Sequence, residues 1–157
     1  MRIVVFSDSH SNFFALKNIV RSQRFADIFI HLGDGERDFD ELARTFPGKE
    51  MYNVRGNCDW ASITPAEGIL RRGGKTILYT HGHLLRVKAG IEQLKADAHK
   101  VGADIALFGH THHAFTSYEN GLHLMNPGSV TFPETGGPSY GIVDITDAGI
   151  FLSIVRL

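Results

Sequence analysis

Three short runs, Ile3 to Phe6, Ile28 to Leu32 and Ile105 to Phe108, are apolar at nearly every position instead of alternating with polar residues. A strand with one face in water alternates, so runs of this kind belong to strands covered on both faces. Such strands need further layers above and below them. The intervening segments can supply those layers. Ser11 to Ser22 carries Phe13, Leu16, Ile19 and Val20 at helical spacing, and Glu36 to Phe46 carries Phe39, Leu42, Ala43 and Phe46 before Pro47-Gly48 stops it. The spacing of Ile91, Leu94 and Ala98 predicts a third helix over Val87 to Val101, ended by Gly102. Met51 to Arg55 reads as a further strand, and Ile69 to Arg72 with Lys75 to Thr80 as a hairpin across Gly73-Gly74.

Beyond Phe108 the pattern turns to antiparallel hairpins, Ala114 to Tyr118 with Leu122 to Met125 and Tyr140 to Ile145 with Ile150 to Val155. The sum is an α/β chain of two packed sheets flanked by helices. Its 157 residues suit one domain, 1–157, and Pro133 to Pro138 reads as a loop within it.

Sixteen basic against seventeen acidic residues argue against a nucleic-acid polymer as partner. The single cysteine, Cys58, excludes an internal disulfide and a thiolate cage, which suits a reducing compartment. The chain reaches Ser7-Asp8 directly after Met1 to Phe6, and no apolar run approaches the about 20 residues that span a bilayer. The expectation is a cytoplasmic protein with no membrane partner; a homodimer is compatible with its size.

The polar residues after the strands carry the chemistry. Ile3 to Phe6 leads to Asp8 and His10, Ile28 to Leu32 to Gly33-Asp34, and Met51 to Arg55 to Gly56-Asn57; Thr80 is followed by His81, and Phe108 by Gly109-His110-Thr111-His112. Ligand sites in open α/β sheets lie beyond the carboxyl ends of strands, so these side chains are expected to converge. Four imidazoles with two carboxylates and an amide make a mixed N/O donor set suited to Mn, Fe, Zn, Co or Ni. Seven donors exceed the need of one ion with an open position, which points to two ions sharing a carboxylate.

In this order, the Asp8/His10, Gly33-Asp34, Gly56-Asn57, His81-Gly82-His83 and Gly109-His110-Thr111-His112 blocks resemble those of the calcineurin-like metallophosphoesterases over about residues 6–112. The short length, Gly56-Asn57-Cys58-Asp59 and Asn126-Pro127-Gly128-Ser129 resemble the small YfcE-type phosphodiesterase branch. The resemblance implies a β-sandwich flanked by helices. It also implies one divalent ion on Asp8, His10 and His112, a second on Asn57, His81 and His110, and Asp34 bridging them. Manganese is the first expectation, with Ni, Co, Zn, Fe or Mg as alternatives. A bridging hydroxide would attack a small phosphodiester, with Asp34, Asn57 and His110 in the reacting centre.

Many members of that superfamily carry histidine where this chain has Cys58, and a neutral thiol is a poor replacement for imidazolium as an acid. Diesters with good leaving groups are therefore expected to be favoured over alkyl monoesters. Asn12, Cys58 and His83 are the expected substrate-side residues, although His83 could instead orient His81. Asp59 is read either as a turn cap or as a partner of a ligand. His31 is expected to be a hydrogen-bonded core residue, and His113 to point away from His112. Two other functions compete: a phosphomonoesterase, and a non-catalytic protein-interaction scaffold of the same fold, as in the metallophosphoesterase-fold subunit of retromer.

Overall fold

The computed structural model describes residues 1–157 as β1 (Arg2–Phe6), α1 (Phe13–Ser22), β2 (Ile28–His31), α2 (Glu36–Thr45), β3 (Glu50–Asn53), β4 (Glu67–Arg72), β5 (Lys75–Thr80), α3 (Glu92–Lys100), β6 (Ile105–Phe108), β7 (Ala114–Glu119), β8 (Leu122–Pro127), β9 (Ser139–Thr146) and β10 (Gly149–Arg156). Two five-stranded mixed sheets form, in the orders β10-β9-β1-β2-β3 and β4-β5-β6-β8-β7. The expected two-sheet architecture is present.

The apolar runs divide their side chains between two layers. Ile3, Val5, Ile28 and Ile30 face Ile77, Tyr79, Ile105 and Leu107 of the other sheet, while Val4, Phe6 and Phe29 face Leu16, Ile19 and Val20 of α1 and Leu42 of α2. On the second sheet Leu78, Ala106 and Phe108 turn outward against Leu94 and Ala98 of α3. The order of layers is helix, sheet, sheet, helix. Because period-2 strands supply a core on each side, no polar face is left for β1, β2 or β6, all of whose residues are buried apart from Arg2.

Parallel pairing sets the site. β1 runs parallel to β2 and β2 to β3, in the registers Phe6↔His31 and His31↔Asn53, so their following loops leave one edge together. In the second sheet β5 pairs parallel with β6, and β6 with β8. The His81 ring then joins the sheets by donating Nδ1–H to the Leu32 carbonyl at 2.7 Å.

Several boundaries differ from expectation. The third helix starts at Glu92, not Val87. Arg86 and Gly90 have φ of 53° and 150°, which break helical continuity, and the Leu85 and Val87 amides both turn back to the Gly82 carbonyl. α1 starts at Phe13 because Ser11 has φ 69° and Asn12 caps the helix. β3 ends at Asn53, and the Arg55 amide pairs with the Pro65 carbonyl instead of a strand. β8 also lies parallel to β6, where only hairpin pairing was expected. The Gly73-Gly74 turn has positive φ at both residues, 58° and 70°, as the two-residue hairpin requires. No helix is long and apolar enough to cross a membrane.

Candidate metal centre

The loops after β1, β2, β3, β5 and β6 bring all seven expected donors to one end of the sandwich. Five of them, Asp8, His10, Asp34, His110 and His112, have φ between 44° and 66°, in the left-handed region that side chains other than glycine rarely occupy. That strain is held by cross-loop bonds: the Asp8 amide donates to the Gly33 carbonyl at 3.0 Å and the His10 amide to the Asp34 carbonyl at 3.0 Å. Backbone strain concentrated at chemically active side chains is a mark of a functional site. Gly56 is required by proximity, since a Cβ there would fall on the Asp34 carboxylate.

Two groups of lone pairs converge. His112 donates Nδ1–H to the Phe132 carbonyl at 2.6 Å, because a carbonyl can only accept. A neutral His112 ring therefore presents a bare Nε2, which faces Asp8 Oδ1 at 3.1 Å and His10 Nε2 at 3.4 Å. Asp8 is fully buried, and its Oδ1 receives no aligned hydrogen bond despite this short approach, while Oδ2 accepts from Ser7 Oγ at 2.5 Å and the His110 amide at 3.2 Å. The same logic holds for His81: with Nδ1–H given to Leu32, its Nε2 faces Asn57 Oδ1 at 3.2 Å and Asp34 Oδ2 at 3.5 Å. Asp34 Oδ2 also lies 4.0 Å from His10 Nε2.

Ligand-type nitrogen and oxygen atoms aimed at one another fit cations placed between them. Asp8, His10 and His112 form one group of ligand atoms within 4.8 Å of each other, and Asp34, His81 and His110 form another. Asp34 also closes a third such group with His10 and Cys58. The residues suit divalent metal ions of the N/O-preferring kind. In the absence of a cation a proton is the alternative. Burial would raise the Asp8 pKa, but His112, His81 and Ser7 outweigh it and hold the carboxyl below its usual range, and Asp8 in turn raises His112. His110 is pressed down to about 4 by burial, then by His81 and Lys88, so its ring is neutral and free to coordinate.

The expected substrate-side residues fall around these groups. Cys58 is exposed, with its amide donating to Asp34 Oδ1 at 2.7 Å; burial of the sulfur region and then Asp34 push the thiol up to about 11. His83 packs at a tilt against His81 and edge-on to His110, at ring centroid distances of 5.2 Å and 6.2 Å, and its buried Nδ1 has no partner. Asn12 has a structural duty, since its Oδ1 accepts the Ala15 amide at the start of α1. His113 points outward toward Glu134 and Thr135.

Supporting residues surround the donors, and the sequence left the role of Asp59 open between a turn cap and a partner of a ligand. Asp59 accepts four backbone amides, from Asp34, Gly35, Glu36 and Gly56, at 2.7–2.9 Å, and so ties the β2–α2 loop to the loop after β3. His31 is a core residue, as expected, with a determined tautomer. The Gly33 amide donates to its Nδ1 at 3.1 Å, so Nε2–H donates to Ser9 Oγ at 3.1 Å, and Ser9 donates onward to Asp38 at 2.6 Å. Burial lowers its pKa to about 4. The Asn126 to Thr131 segment braces the remaining loops: Asn126 Nδ2 donates to the Gly109 carbonyl at 2.8 Å, Ser129 Oγ to the Asp8 carbonyl at 2.8 Å, and Thr131 Oγ1 to the Ser9 carbonyl at 2.7 Å. Only the Asn126-Pro127-Gly128-Ser129 motif hinted at this role.

Residues 1–148 match the family model of the calcineurin-like phosphoesterase superfamily domain. The chain is 37% identical over 135 residues to the probable metallophosphoesterase YsnB of Bacillus subtilis, covering 85% of this chain and 77% of that one. It is 35% identical over 118 residues to vacuolar protein sorting-associated protein 29 of Schizosaccharomyces pombe, covering 69% and 63%. It is also 35% identical over 105 residues to the phosphodiesterase YfcE of Escherichia coli K12, covering 60% and 53%. The solved YfcE structure superposes with a TM-score of 0.71 at 23% identity, over 99% of each chain, and so shares this fold.

Proposed function

Because the chain belongs to the calcineurin-like phosphoesterase superfamily, we propose that it is a dinuclear-metal phosphodiesterase of small phosphodiesters. The observation that carries this reading is the position of Asp34 Oδ2, 4.0 Å from His10 Nε2 in one donor group and 3.5 Å from His81 Nε2 in the other. One carboxylate facing both groups is the arrangement that two ions sharing a ligand need. Asp8, His10 and His112 would hold one ion, Asn57, His81 and His110 the other, and Asp34 both. Manganese is the first candidate, with availability deciding among Mn, Ni, Co, Zn, Fe and Mg. When bound, such ions supply charge neutralisation at a phosphoryl group and a nucleophile at neutral pH.

The chain's own residues do the rest. The Phe132 and Leu32 carbonyls accept from the Nδ1 side of His112 and His81 and so aim each Nε2 at the site the ions would take. Asp59 fixes the backbone that carries Asp34. His83, half-buried beside His81, lies within reach of a bound ester. Cys58 replaces the imidazole of many relatives with a thiol that supplies little acid catalysis, which supports diesters with good leaving groups over alkyl monoesters. The lone thiol also suits the cytoplasm.

A scaffold role has the similarity to vacuolar protein sorting-associated protein 29 in its favour. A scaffold has no need of strained loops that hold seven donors, and that donor set favours catalysis. Hydrolysis of an aryl phosphodiester beside the matching monoester, by Mn-loaded protein, tests the reading. Diester preference is expected; monoester preference would transfer the activity to the rival esterase class, and no turnover by protein holding two ions would favour the scaffold.

A further inference from the structure

Two grooves open from the metal centre and neither is explained by metal binding. The first, about 350 Å³, runs from His10 and Asp34 past Cys58 to Arg37 and Trp60. The second, about 540 Å³, runs from His112 and Thr111 past Phe132 to Lys88. Both fall within the about 300–1,000 Å³ of small-molecule sites. They meet at the His10 and His112 rings, whose Nε2 atoms lie 3.4 Å apart.

The charges in the first groove can be accounted for one by one. Asp34 belongs to the metal centre, Asp59 is occupied by four amides, Asp38 accepts from Ser9, and Glu36 accepts from Ser62 and Thr64. Arg37 is exposed and has no acidic partner, so it is the uncommitted charge. Trp60, the one tryptophan of the chain, is 88% exposed and covers no core. The second groove holds a similar aromatic and cationic pair, together with Glu134, whose carboxylate lies 3.8 Å from His113. Phe132 is 59% exposed, with its ring 5.5 Å from the His10 ring, and Lys88 is an exposed cation whose charge opposes protonation of His110 and His112.

We propose that each groove seats one arm of the diester, a flat heterocycle on Trp60 or Phe132 with flanking negative charge at Arg37 or Lys88. The substrate class is then a short nucleotide diester with a base on either side of the scissile phosphate. An exposed aromatic ring gains from a stacked base, and a neighbouring free cation gains from phosphate. One cation per groove and a net charge of -1 fit a dinucleotide rather than a polymer. The assignment rests on the phosphodiesterase reading above and specifies its substrate.

The test uses the 5′-phosphorylated adenine dinucleotide pApA, with diethyl phosphate and methyl 4-nitrophenyl phosphate as comparators. Trp60 reports binding directly: its emission in metal-free protein is expected to be quenched saturably by pApA and not by diethyl phosphate at equal concentration. In Mn-loaded protein, Trp60→Ala, Arg37→Ala and Lys88→Ala are each expected to lower the kcat/KM ratio of pApA to methyl 4-nitrophenyl phosphate about tenfold, the scale of one lost stacking or charge contact. Absent quenching, or an unchanged ratio in Trp60→Ala, overturns the assignment. Cleavage of the aryl diester without cleavage of pApA overturns it alone, whereas cleavage of neither removes the phosphodiesterase reading and the assignment with it.

Discussion

The Asp59 carboxylate accepts the Asp34 backbone amide at 2.9 Å, and with it three further amides of the same two loops. An acceptor with four donors fixes the direction in which Asp34 leaves the chain. Asp59→Asn keeps one accepting oxygen and turns the other into a donor facing amides. It is expected to cost about 2–3 kcal/mol of stability and to lower kcat/KM about 10–100-fold through weaker metal binding. Denaturant unfolding and metal titration of the folded variant check the two effects separately.

Asp34→Asn removes the charge proposed to bridge the two ions while preserving shape. The variant is expected to fold, to lose most bound metal and to retain under about 1% of activity. Elemental analysis after equilibration with Mn²⁺ checks it. Two ions and unimpaired turnover in this variant would make the bridging role wrong.

His31 predicts a pH dependence of stability. Its pKa falls from 6.5 unfolded to about 4 folded, so between those values the unfolded chain binds the extra proton. Stability from this group is complete above pH 6.5 and declines as pH falls toward 4, by about 3 kcal/mol over the window. Urea unfolding at stepped pH is expected to show this slope, flattened in His31→Gln. An equal slope in both proteins would assign the effect to other groups.

Cys58→His restores an imidazole at a position whose amide already contacts Asp34 Oδ1 at 2.7 Å. Monoester activity is expected to rise about tenfold relative to diester activity, measured as a ratio of kcat/KM values. An unchanged ratio would remove leaving-group protonation as the reason for diester preference.

The candidate donors were legible because Asp8, Asp34, His81 and His110 fall within a few residues of the ends of largely apolar strands, where buried strands leave ligand-type side chains in the loops that follow. The two-sheet architecture was legible for the same reason. Val87 misled the helix boundary: it is buried, but against Gly82 in a turn, and burial alone has helical spacing with Ile91 and Leu94 by coincidence. The parallel β6–β8 pairing joins segments across a hairpin, and local patterning carries no sign of it. Asp59, and the Gly33–His31–Ser9–Asp38 chain of bonds, connect separate loops, so their roles exist only once the strands are paired. Arg37, Trp60 and Lys88 look like ordinary exposed residues in sequence; what distinguishes them is the groove each one lines.

The proposed mechanism requires two ions sharing Asp34 to drive diester hydrolysis. It is tested most directly by titrating metal-stripped protein with Mn²⁺ while recording bound metal and aryl phosphodiester turnover together. Turnover is expected to be absent without metal and to plateau as occupancy reaches two ions per chain. Full turnover at one ion or none, or no turnover at two, would contradict the account.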